Sequence, residues 1–140
     1  MTLQDLYDKG PGMSREELIE IAKTQMAVML REHKEGEYRA KCYIHNIFVT
    51  MFIADDNPSF EKYQFYNSCG ANHELKSYED FAESCRLSKR IDFIDIIAKH
   101  LDEGSRAQTT AVIALAIIAC VCDGRINFGE KAYLNKLADF

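Results

Sequence analysis

No tryptophan occurs in the 140 residues, and only two prolines and seven glycines interrupt them. So few breakers exclude a Pro/Gly-rich disordered or fibrous chain and leave room for long regular elements. There is also no period-two run of β-branched residues, which removes the main signal for strands. The longest near-apolar stretch, Ala111 to Cys122, is shorter than the roughly 20 residues that span a bilayer. It predicts a buried core helix, with no direct membrane insertion. At the start, Met1-Thr2-Leu3-Gln4-Asp5-Leu6 places acid where a signal peptide needs basic residues and a long apolar core, so no export is expected.

Basic clusters are missing too. The formal net charge is -5 and Lys/Arg residues are scattered among acids, which argues against nucleic acid as a partner, because phosphate neutralisation needs a basic face. There is no Gly-rich phosphate loop and no distinguishable Ser/His/Asp order. A non-enzymatic protein is the expectation. The five cysteines are odd in number and sit inside apolar or helical patterns, which fits a reducing cytoplasm better than a disulfide framework. Cys120-Val121-Cys122 lacks the C-x-x-C spacing, and Cys69 with His73 has no second ligand pair for zinc. Both read as packing or surface residues, as do His33, His45 and His100.

What is present is helix punctuation. A hydrophobic share of 47% with 28% charged residues suits one ordered domain with a real core. Lys9-Gly10-Pro11-Gly12 separates an N-terminal arm, residues 1–13, from a helical domain over 14–140. Ser14-Arg15-Glu16-Glu17 is a capping box opening a long helix to about Arg31. A second helix runs from about Arg39 to Ala54. Asn57 ahead of Pro58 predicts the N-cap of a third, to about Cys69. Ser77 and Ser88 open two more, the Ala/Ile-rich segment Arg106 to Cys122 is the central helix, and Asn127 caps the last, still in pattern at Phe140. The prediction is an all-α, single-domain bundle of about seven helices.

Within it one device occurs twice. Ile47 to Ala54, then Asp55-Asp56-Asn57-Pro58-Ser59, then Phe60-Glu61-Lys62-Tyr63 is an apolar run, an acidic turn and an amphipathic run. Ala114 to Cys122, then Asp123-Gly124-Arg125-Ile126-Asn127, then Phe128-Gly129-Glu130-Lys131 repeats it. The second turn matches the latter half of an EF-hand loop, but the first two ligand positions would fall on Ala119 and Val121, so a complete EF-hand is excluded. Glu130 also has a plain role as the partner of Asn127 in a capping box, and Asp123-Gly124 as a helix stop. Two carboxylates brought to ~4 Å would repel by about 4 kcal/mol at an effective dielectric of 20 and would require a proton, a Lys/Arg partner or a bound cation.

The second repeat, from the Ala/Ile helix through Asp123-Gly124-Arg125-Ile126-Asn127 to Glu130-Lys131-Ala132-Tyr133-Leu134, resembles the TerB-like family. That family includes the tellurite-resistance TerB proteins and the N-terminal helical region of a DnaJ-type co-chaperone. Ala54-Asp55-Asp56-Asn57 with Glu61 is similar to the family's first copy, and together the copies cover about residues 14 to 140. The resemblance implies an all-helical domain with no catalytic activity, a stress-response setting, and an acidic patch for a divalent cation (Ca²⁺, Mg²⁺, Mn²⁺ or Zn²⁺). On matching positions the patch is Asp56, Glu61, Asp123 and Glu130, with Asp55 nearby. The chain departs from the pattern in its first turn, where Asp56-Asn57-Pro58 replaces Asp-Gly. The expectation is a binding module with a protein-partner surface and a weak cation site at the two turns. The alternative is a purely structural interaction module in which both turns are helix caps and an exposed arm, Met1 to Met13, mediates self-association as a homo-dimer.

Overall fold

The computed structural model describes residues 1–54, 59–72, 75–88, 93–101 and 103–140. Every regular element in them is helical. Thr2 and Asp5 form a capping box that opens α1 (Leu3–Lys9), and a 3-10 turn (Gly10–Gly12) with Pro11 in its first positions ends it. Ser14 and Glu17 open α2 (Arg15–Glu32) through the capping box the sequence predicts. There follow α3 (Glu37–Ile53), α4 (Phe60–Ser68), α5 (Tyr78–Ser88), α6 (Phe93–Leu101), α7 (Arg106–Val121) and α8 (Phe128–Leu137). The one helix beyond the predicted number is α1, in the segment read as an arm. No described helix is long and apolar enough to cross a membrane.

α7 is the axis. Every residue from Ala111 to Val121 is buried, and the helix packs against α2, α3, α1 and α8. Its alanines allow backbones to approach while Ile113, Leu115, Ile117 and Ile118 fill the space between them. α3 is its counterpart, with all seven residues from Ile47 to Ile53 buried. Early residues of both helices (Arg39 and Tyr43, Gln108 and Val112) line one cleft, and the C-terminal end of α3, at Ala54, meets Gly129 just beyond the end of α7. The two helices therefore run parallel, about 25 Å long at 1.5 Å per residue, with the cleft at one pole and the turns at the other.

The N-terminal segment is docked. Leu6 is buried, Tyr7 stacks on Phe140 with ring centroids 4.8 Å apart, and Gly10 lies so close to Val121 that an added Cβ would fall 3.0 Å from its side chain. Leu6, Tyr7 and Gly10 are thus engaged within the chain while Met1 stays exposed, so the segment is docked where the alternative reading had an exposed arm.

The cap of α4 also needs correction. Ser59, not Asn57, holds the extended N-cap conformation, and its hydroxyl accepts from the Lys62 backbone N–H at 3.2 Å. A cap must directly precede the first helical residue to reach the donor three positions on, and that residue is Phe60. Asp55, Asp56, Asn57 and Pro58 lie outside the described residues, as do His73 and the link after Ser88.

Candidate functional site

The turn between α7 and α8 is built by local hydrogen bonds. The Gly124 N–H donates to the Val121 carbonyl at 2.8 Å, and Gly124 adopts φ +89°, the left-handed conformation that ends a helix cheaply only at glycine. Asp123 is half-buried, and its Oδ1 accepts from the Arg125 N–H at 3.4 Å. Asn127 Oδ1 accepts from the Glu130 N–H at 2.8 Å, and Glu130 Oε1 accepts from the Asn127 N–H at 3.1 Å. This is the capping box expected from the sequence.

The start of α8 is brought against the end of α3 at Gly129. A Cβ there would lie 2.2 Å from the carbonyl oxygen of Ala54, the residue that follows α3. Only glycine permits this approach, which seats the first turn of α8 against the end of α3. Beside it, Lys62 of α4 reaches Glu130 of α8, with Nζ 3.6 Å from Oε2 and both side chains 0% exposed. The Lys62 Nζ also lies 5.7 Å from the centroid of the Phe52 ring, within cation–π range. Among the described charged residues, these two are the fully buried ones.

The surroundings are dry. The Cys120 thiol is held well above the usual range, first by burial and then by the Glu130 charge. Burial likewise pushes up Cys122, aided by the charge of Asp123. Neither thiol is a nucleophile near neutral pH, because the thiolate is the reactive form. A buried carboxylate without a counter-charge would be costly, and the Lys62 ammonium stands beside Glu130.

Of the residues predicted for a cation site, Glu130 is therefore buried against Lys62, Asp123 supports its own turn, and Glu61 is exposed in the first turn of α4. Asp55 and Asp56 lie outside the described residues. Among the described residues, no group of three or more His, Cys, Asp or Glu side chains is placed to hold a metal ion. Lys62 was missed because the repeats were matched on their glutamates. Matched on their N-caps, Ser59 with Asn127, they put Lys62 and Glu130 at the same third helical position.

At the opposite pole, a cleft of about 280 Å³ is lined by His33, Arg39, Tyr43 and His100 among others. Tyr43 lies between the two imidazoles, with centroids 6.2 Å from His33 and 6.0 Å from His100, and burial pushes its hydroxyl up to about 12. The His33 Nδ1 accepts from the Glu35 N–H at 3.2 Å, and the His100 Nδ1 lies 3.5 Å from Glu103. His45 links two helices, with Nδ1 hydrogen-bonded to the Tyr66 hydroxyl between α3 and α4. No family model, no curated protein and no solved structure matches this chain.

Proposed function

We propose that this protein is a non-enzymatic, TerB-like helical binding module of the cytoplasm that docks a protein partner on the pole formed by its two turns. The observation that carries this reading is a pair of exposed aromatics at equivalent positions. Phe60 and Phe128 are the first residues of α4 and α8, and they are 53% and 89% exposed. Large apolar side chains left in water beside a rigid joint are typical anchors for a partner. Burying a ring such as Phe128 is worth roughly 1.5–3 kcal/mol. Glu61, Asp123, Arg125 and Lys131 stand nearby in sequence with mixed charge, suited to fixing the register of a partner more than to attracting it from afar. The absence of a reactive thiol in the joint and the internal neutralisation of Glu130 favour binding over catalysis.

The test is the pair Phe60→Ser and Phe128→Ser, combined. Stability to urea should change by no more than about 0.5 kcal/mol at Phe128, the more exposed of the two. A protein captured from cell extract by the parent chain should be lost by the variant, and the purified partner should show the same difference in direct titration. Equal binding by both chains would overturn the reading. A dimer seen by sedimentation and abolished by the same substitutions would identify the partner as a second copy.

A further inference from the structure

We infer that the groove between α1, α2 and α7 is a binding site for a free, linear aliphatic carboxylate, with its head group on Arg106 and its chain laid along Leu3, Ile21 and Ala114. The groove has a volume of about 690 Å³, against about 280 Å³ for the histidine-lined cleft, and small-molecule sites usually fall in the range of roughly 300–1,000 Å³. Its floor is apolar, with Leu6 and Ala114 buried and Leu3 and Ile21 half-buried. Past Ile21 it continues as a shallower trough toward Met13, and Met1 borders both parts. α2 and α7 run antiparallel here. The Ser105 hydroxyl, at the start of α7, reaches Glu32 at the end of α2 at 3.3 Å, while Val121, at the end of α7, packs on Gly10 just ahead of α2. Arg106, first in α7, therefore stands at the end of the groove away from Met13. Thr110 and Ala114 follow it at four-residue steps on one stripe of α7, a run of about 12 Å at 1.5 Å per residue. Among the described residues Arg106 has no ion-pair partner. An unpaired guanidinium at the head of an apolar groove matches a carboxylate in charge and in fork geometry, and an alkyl chain bound behind it takes the floor out of water. Glu20 borders both the groove and the trough, toward the far end, where it disfavours a carboxylate and so sets the direction of the chain. The groove takes no residue from α4 or α8 and stands apart from the partner surface at Phe60 and Phe128.

The experiment is a calorimetric titration of the full chain with octanoate, decanoate, dodecanoate and decylamine, each below its micelle concentration, beside the variants Arg106→Gln and Thr110→Phe. Both substitutions fall on exposed residues, and thermal denaturation should show each variant folded as the parent chain is. Decanoate should bind saturably at one site, and each methylene added to the carboxylate should tighten binding roughly two- to fourfold. Arg106→Gln should weaken decanoate about tenfold and keep the same gain per methylene. Thr110→Phe, which sets a ring into the groove, should abolish binding at every chain length. No saturable binding of decanoate overturns the inference. So does equal affinity in Arg106→Gln, or decylamine binding as tightly as decanoate. A dimer seen by sedimentation, lost in Thr110→Phe and untouched by decanoate, would give the groove to a second copy and overturn it as well.

Discussion

Aligned on their N-caps, the hairpins α3–turn–α4 and α7–turn–α8 are alike in outline and opposite in charge. Each ends a helix buried on nearly all sides, turns, caps the next helix through a polar side chain, and places phenylalanine first in it. Three residues past the cap one carries Lys62 and the other Glu130, and the two meet. A repeat with glutamate at both places would set two carboxylates into one dry joint and need an external cation. Here the copies have become complementary, and the joint holds its own counter-charge. The second hairpin also has glycine at the step where the first has Glu61, and that glycine is what lets the helices close.

The largest effect should come from breaking the charge match. Lys62→Met leaves Glu130 buried without its ammonium and should cost about 3–5 kcal/mol, whereas Lys62→Met combined with Glu130→Leu should recover most of that loss, as paired replacement of buried ions generally does. Urea denaturation of the two singles and the double gives the coupling directly. Additive losses would mean that the two residues act separately. By contrast, Glu37→Gln should be nearly silent, since its ion pair with Lys41 at 3.1 Å lies in water.

Next in size is the close approach. Gly129→Ala places a methyl 2.2 Å from the Ala54 carbonyl, and the shift forced on α8 should cost about 1–3 kcal/mol. Gly12→Ala is the contrasting case, because nothing lies within 4 Å of the added carbon. If both substitutions cost the same, α8 does not press on the end of α3 there.

A pH ramp sharpens the comparison through the thiols packed near these turns. Burial pushes Cys69 from 9.0 up to about 11. Between those values the unfolded thiol loses its proton while the folded one keeps it. The unfolded state then binds fewer protons, and stability falls as pH rises through this window. The contribution is fully present below pH 9.0. Chemical denaturation across the window should show a shallower decline for Cys69→Ala than for the parent chain.

Much of this was legible in the sequence. Ser14 with Glu17 and Asn127 with Glu130 are spacings with a mechanism, and both capping boxes form. The unbroken apolar run after Ala111 could only belong to a helix touching neighbours on most sides. The joint was less legible for a physical reason. A lysine in an amphipathic helix reads as solvated, and only the tertiary approach permitted by Gly129 removes Lys62 from water. Ser59 was passed over because Asn57-Pro58 is the stronger local signal, although Ser59 directly precedes the helix. Docking of α1 depended on Gly10 meeting Val121 and Tyr7 meeting Phe140, contacts between distant parts of the chain that no local pattern contains.

The smallest effects should lie in the caps, where the hairpins differ in kind. Asn127 is held reciprocally, since Glu130 returns a hydrogen bond to its N–H, and Glu130 is in turn fixed by Lys62. Ser59 gives α4 a single side-chain bond, to the Lys62 N–H at 3.2 Å. Ser59→Ala should therefore cost about 0.5–1 kcal/mol, the ordinary value of a cap. Asn127→Ala should cost more, toward about 2 kcal/mol, because it also loosens the residue that faces the buried ammonium. In the Lys62→Met/Glu130→Leu background that excess should vanish, leaving the two caps equal. If Asn127→Ala keeps its full cost there, the cap acts locally, and the charge pair and the turn are separate devices that merely share a helix.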